Sequence, residues 1–139
     1  VFADRETSVA SRAGILAVVL TLASCASRET VAAYGAAGRI WRLTELDGAA
    51  FGAVATLTFP SPGKIAAKTP CASYAAPMSA PYPWFEMGAV SASRTACPDP
   101  ATDAEFLRAL HSMTQSEVTG DVLILSNETG REMVFKSVG

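Results

Sequence analysis

The sequence predicts a mainly β domain of α+β type: a small curled antiparallel sheet or partial barrel with one α-helix packed on it. Three observations carry this. Short apolar stretches alternate with polar residues and end in strong turn signals such as Asp47-Gly48 and Pro60-Ser61-Pro62-Gly63. One segment alone switches to helical spacing, with Phe106, Leu107, Leu110 and Met113 recurring on one side. Two further turns, Gly120-Asp121 and Asn127-Glu128-Thr129-Gly130, separate the closing strands. Curling such a sheet hides its edges, and the helix covers the remaining apolar face.

The elements follow in order. Residues 1–24 read as a lipoprotein signal peptide. The uncharged run Ala13–Ala23, directly after Arg12, has the length of a secretory apolar region and is shorter than the ~20 residues that span a bilayer. It ends in Leu22-Ala23-Ser24-Cys25, which resembles a lipobox, so Cys25 is the expected lipidated residue and new N-terminus. Ala26–Gly38 is small and polar and reads as a flexible tether, making 25–38 anchor and tether and 39–139 the folded domain.

Within the domain, Ile40–Leu46 and Val54–Phe59 alternate as strands, and Lys64–Ala67 is a short one. Pro70–Pro83 holds four prolines and reads mostly as loop with at most an edge strand. Trp84–Met87 resumes a strand that can extend past Gly88 through Ala89–Ser91. Thr102-Asp103-Ala104-Glu105 matches a capping box and starts a helix over Asp103–Met113. Val118-Thr119, Val122–Leu125 and Met133–Lys136 close the sheet.

Composition limits the functions available. The net charge of -2 stays with the mature chain, because Asp4 and Glu6 cancel Arg5 and Arg12 in the signal. No Lys/Arg run or basic stripe is present, which argues against nucleic acid as a partner. Membrane attachment then comes from the N-terminal lipid rather than from a polybasic face. With Cys25 lipidated, Cys71 and Cys97 remain, and in an exported chain a disulfide is favoured over two free thiols. There is no CxxC and His111 is the single histidine, so no metal site or cofactor is expected.

No residue set forms a recognisable reaction centre. Ser73, Asp121 and His111 supply the side chains of a triad but lack a GxSxG elbow. A Cys–His111 dyad would need a free thiol. Asp103 and Glu105 sit in a first helical turn, where the helix dipole favours negative charge without any acid–base role. No catalytic residue is therefore assigned. Tyr74, Tyr82 and Trp84 flank the proline-rich loop and form the candidate binding surface for an envelope protein or glycan.

The chain resembles the META-domain, or HslJ-like, family of small bacterial envelope proteins. The resemblance covers about Arg39 to Phe135. It rests on Trp41-Arg42-Leu43, Leu57-Thr58-Phe59, two cysteine elements (Thr69-Pro70-Cys71-Ala72 and Ser93-Arg94-Thr95-Ala96-Cys97), the helix Glu105–Leu110 and the closing strands. The sequence departs from the family at Pro70 and Ala72, where glycine and asparagine are usual, and at Ser93, where threonine is usual. The resemblance implies a compact β-rich fold, export, frequent lipid anchoring and no established catalytic activity, with loose links to stress tolerance and envelope maintenance. Two roles are expected of such a chain. One is a non-enzymatic lipoprotein that acts by binding; the alternative is an inhibitor of a periplasmic or external hydrolase that uses Ala75–Pro83 as its inserting loop. Ala26, in place of an aspartate after Cys25, favours the outer membrane, with the domain facing the periplasm.

Overall fold

A computed structural model describes residues 29–138. The signal segment, Cys25 and residues 26–28 lie outside the described residues. A single nine-stranded antiparallel sheet runs in the order β6-β5-β4-β3-β1-β9-β8-β7, with β2 paired to β1 off this path. The strands are β1 Trp41–Leu46, β2 Ala49–Ala50, β3 Thr56–Thr58, β4 Lys64–Lys68, β5 Ala72–Pro77, β6 Ser91–Arg94, β7 Gln115–Thr119, β8 Val122–Ser126 and β9 Glu132–Ser137. Helix α1 spans Pro100–Ser112.

The topology explains the helix. After β1 the chain adds strands outward to β6 at one edge, and β7 begins at the opposite edge. Helix α1 is the only regular element between β6 and β7, so it carries the chain from one edge to the other. Its apolar side then fills the sheet's hollow. Phe106, Ala109 and Leu110 are fully buried, and they join Trp41, Leu43, Leu57, Leu123, Leu125, Met133 and Phe135 in one core.

The sheet stays open, within the curled-sheet expectation, and does not close into a barrel: β6 and β7 are edges, and all four residues of β6 are exposed. Other parts of the chain cover the start of the β7 edge. The Ser116 amide donates to Pro83 O at 2.7 Å, and the Phe85 amide donates to Thr114 O at 2.8 Å.

Four local expectations also change. The helix starts three residues early: Asp99 is the N-cap, accepting from the Thr102 amide at 3.1 Å, and Pro100 opens the first turn. Proline lacks the N–H that would go unsatisfied there, so it fits that position. Thr102 is thus inside the helix, and its hydroxyl bonds Asp99 instead of Glu105.

Residues 72–77 form a six-residue interior strand in place of a loop, bonded to β4 on one side and β6 on the other. Its burial alternates strictly, with Ala72, Tyr74 and Ala76 inward. Alanine on both faces hid that period in the sequence.

Trp84–Met87 is not a strand. It makes only isolated bridges, Trp84 to Gln115 and Met87 to Met78, and its amides bond off-ladder: Trp84 N–H to Pro81 O and Phe85 N–H to Thr114 O, both at 2.8 Å.

The last change concerns the tether, which ends sooner than Gly38. Val31 and Ala36 are fully buried, and the Trp41 indole donates to Ala36 O at 2.9 Å. From Glu29 onward the chain is part of the domain.

Candidate binding surface

The aromatic surface is built on the edge strand β7. Phe85 is the internal anchor of the loop, 2 % exposed, and its insertion leaves Trp84 facing outward at 53 % exposure. Backbone bonds fix the loop on both sides. The Trp84 amide donates to Pro81 O at 2.8 Å, and the Tyr82 amide donates to Glu29 O at 2.8 Å. The Tyr82 ring stacks on Tyr34, with centroids 4.3 Å apart and planes 14° from parallel. Stacking of this kind stabilises by roughly 0.5–1.5 kcal/mol beyond the area it buries. A depression of about 430 Å³ lies beside the loop, lined by Tyr82, Pro83, Trp84, Gln115, Ser116, Glu117, Ile124 and Ser126. It offers a flat indole, a carboxylate and an amide on a backbone that hydrogen bonds hold in place.

Tyr74 does not belong to this surface, which corrects its grouping with Tyr82 and Trp84. It points inward from β5 and is 4 % exposed. Its hydroxyl donates to Asp103 Oδ2, and Thr69 donates to Asp103 Oδ1. Burial, followed by the hydrogen bond to Asp103, raises the Tyr74 phenol above its ordinary pKa. Arg94 lies against the same ring, its guanidinium carbon 5.6 Å from the centroid.

Asp103 is 5 % exposed, and its two oxygens receive donors from β5 and from the turn before it. It therefore ties helix to sheet in addition to standing in the first turn. The sequence reading missed this pairing. The available signal was Tyr74 alternating inward on a strand of alanines, opposite a helix start with one carboxylate on its apolar side.

Cys71 and Cys97 form the expected bridge, with Cα atoms 5.0 Å apart. The bridge borders a cleft of about 300 Å³ whose walls include Phe51, Val54, Pro70, Pro98 and Phe106. It connects the turn before β5 to the approach of α1, next to the Thr69–Asp103–Tyr74 cluster.

The residues of the hypothetical triad sit apart in the fold. His111 is exposed in the last turn of α1, Ser73 is exposed on β5, and Asp121 is in the β7–β8 turn. Asp121 is engaged by Arg39 at 3.0 Å. No hydrogen bond joins the three among the described residues. With both thiols in the bridge, neither cysteine is free to pair with His111. Asn127 shapes its turn as expected, with Oδ1 accepting from the Thr129 and Arg131 amides, both at 3.1 Å. Its Nδ2 donates to Ser112 O at 3.2 Å, which fastens this turn to the end of the helix.

The described residues contain no cluster of His, Cys, Asp or Glu that could hold a metal ion. No helix among them is long and apolar enough to cross a membrane.

Solved structures share the fold at low sequence identity. A protein of Burkholderia xenovorans solved by NMR is 20 % identical with a TM-score of 0.62, covering 78 % of this chain and 87 % of its own. A DUF4847-family protein of Bacteroides vulgatus ATCC 8482, in a crystal structure at 1.00 Å, is 12 % identical with a TM-score of 0.63, covering 76 % of this chain and 96 % of its own. These likenesses concern the fold alone. No curated protein matches the sequence. The META domain, in contrast, matches residues 35–138, which include every strand and the helix described above: the chain belongs to the META-domain family.

Proposed function

We propose that the protein is a non-enzymatic, lipid-anchored component of the bacterial envelope, held by Cys25 in the outer membrane and supporting stress tolerance or envelope maintenance by binding. The observation that carries this reading is the Tyr82–Trp84 surface. Trp84, 53 % exposed, presents an amphipathic ring suited to an interface, and it sits on a loop pinned at Glu29, Thr114 and Ser116 beside a 430 Å³ depression. A pinned loop loses little entropy on association. Family membership supports the envelope setting, and the family suggests no reaction.

The inhibitor alternative has less support. Of its proposed inserting segment, Ala75–Pro77 is inside strand β5, and Tyr82 is folded back under Tyr34. That leaves little chain to protrude into an enzyme's cleft.

The anchor is tested by mass analysis of the mature N-terminal peptide. A diacylglyceryl-modified Cys25 is expected, and Cys25→Ser should leave an uncleaved or soluble form. An unmodified chain starting elsewhere contradicts the anchor.

A further inference from the structure

We propose that the partner of the aromatic surface is the lipid bilayer itself: the Tyr34–Tyr82–Trp84 face docks on the headgroup region of the membrane that holds the anchor. This rests on the reading of Cys25 as the lipidated residue.

The argument starts from chain length. Cys25 stands four positions before Glu29. An extended chain advances at most ~3.6 Å per residue, so the two are no more than about 14 Å apart. Glu29 cannot swing away from the loop. Its carbonyl accepts the Tyr82 amide at 2.8 Å, and Val31, two residues on, is fully buried. The lipid therefore leaves the domain beside Tyr82, and the short span keeps that side of the domain against the membrane.

The rings on that side have the chemistry of the interface. Trp84 is 53 % exposed and Tyr34 48 % exposed, and Tyr34 stacks on Tyr82. Indole and phenol combine an apolar body with a polar tip, and such rings collect at the headgroup level of membranes. No basic patch is required. The anchor already confines the domain to the surface, so each ring works at a high effective concentration of lipid and weak partitioning suffices. A protein partner for the same face would have to bind close beside the membrane, because at Glu29 the domain stands no more than about 14 Å from the lipidated residue.

The chain has two tryptophans, which makes the test direct. Trp41 is fully buried in the core and stays out of reach of lipid, so Trp84 reports the surface alone. The full lipidated protein is reconstituted in phosphatidylcholine vesicles with and without bromine on the upper acyl chain, a contact quencher of indole. The Trp84→Phe variant supplies the Trp41 background. The Trp84 emission is expected to shift to the blue and to be quenched several-fold by brominated lipid, with no change in Trp84→Phe. The N-terminal peptide of the same sample is weighed to establish lipidation. A lipidated Cys25 with Trp84 still water-exposed and unquenched overturns the docking while leaving the anchor intact. If Trp84 is shielded only when an envelope protein is added, the surface belongs to that protein and the bilayer proposal is likewise overturned. A Cys25 without lipid removes both the anchor and the docking.

Discussion

Breaking the Cys71–Cys97 bridge should cost a substantial share of this small domain's stability, which is typically about 5–15 kcal/mol. The bridge encloses a sequence separation of 26 residues. In the chain-entropy treatment a loop of that length lowers the entropy of the unfolded chain by roughly 12 cal/mol/K, or about 3.5 kcal/mol at 25 °C. Unfolding about 110 ordered residues carries an entropy of roughly 230 cal/mol/K, so the loss should lower the Tm by roughly 15 °C. Position adds to the effect. The enclosed segment holds β5, the Tyr82–Trp84 loop and β6, the edge strand with no buried residue of its own. The assay is a thermal melt of the oxidised protein beside the reduced protein and the Cys71→Ala/Cys97→Ala variant. Thiol titration of the unfolded, non-reduced protein should find neither cysteine free. Coincident oxidised and reduced melts, or two titratable thiols, would refute the reasoning.

Two further outcomes concern the core and its buried polar cluster. Phe106 and Leu110 are both fully buried on one face of α1, so Phe106→Ala should cost ~3–5 kcal/mol and Leu110→Ala ~2–5 kcal/mol in denaturant unfolding. Tyr74→Phe leaves one oxygen of a carboxylate that is 5 % exposed without its donor, a cost of about 1–3 kcal/mol. The same tyrosine gives a pH signature. Its folded pKa is raised, so its contribution is complete below the unfolded phenol value of ~10 and fades as pH rises through the folded one. The difference in Tm between wild type and Tyr74→Phe should therefore narrow in alkaline melts.

The fold was legible where apolar runs alternated or ended in turn signals. Leu57 and Phe59 alternate with threonines and point inward; Leu123, Leu125, Met133 and Phe135 are buried within continuous apolar runs that the flanking turns marked as strands. The helix was legible from Phe106 and Leu110, and the bridge from cysteine number and compartment. What stayed hidden has a common physical cause: a small residue can be buried without leaving an apolar signal. Ala72 and Ala76 are core residues of β5, yet they look like the exposed Ala75 between them. Ala36 likewise belongs to the core, although its segment reads as a tether. The Asp103 cluster was hidden for a second reason. A carboxylate in a first helical turn has a sufficient local explanation, and only tertiary packing brings Thr69 and Tyr74 to it. The candidate surface was partly legible. Prolines and aromatics marked the loop, but only inward and outward alternation separates Tyr74 from Tyr82 and Trp84.

The measurement that bears most directly on function by binding is rescue of a deletion strain by variants of the full-length protein. Trp84 is half in solvent and Tyr82 half-buried, so Tyr82→Ala with Trp84→Ala should leave the domain folded and weaken rescue. His111 is exposed at the end of α1, and His111→Ala should leave rescue intact. The reverse pattern, with rescue lost at His111 and preserved in the aromatic double variant, would contradict the account and place the function at the helix end.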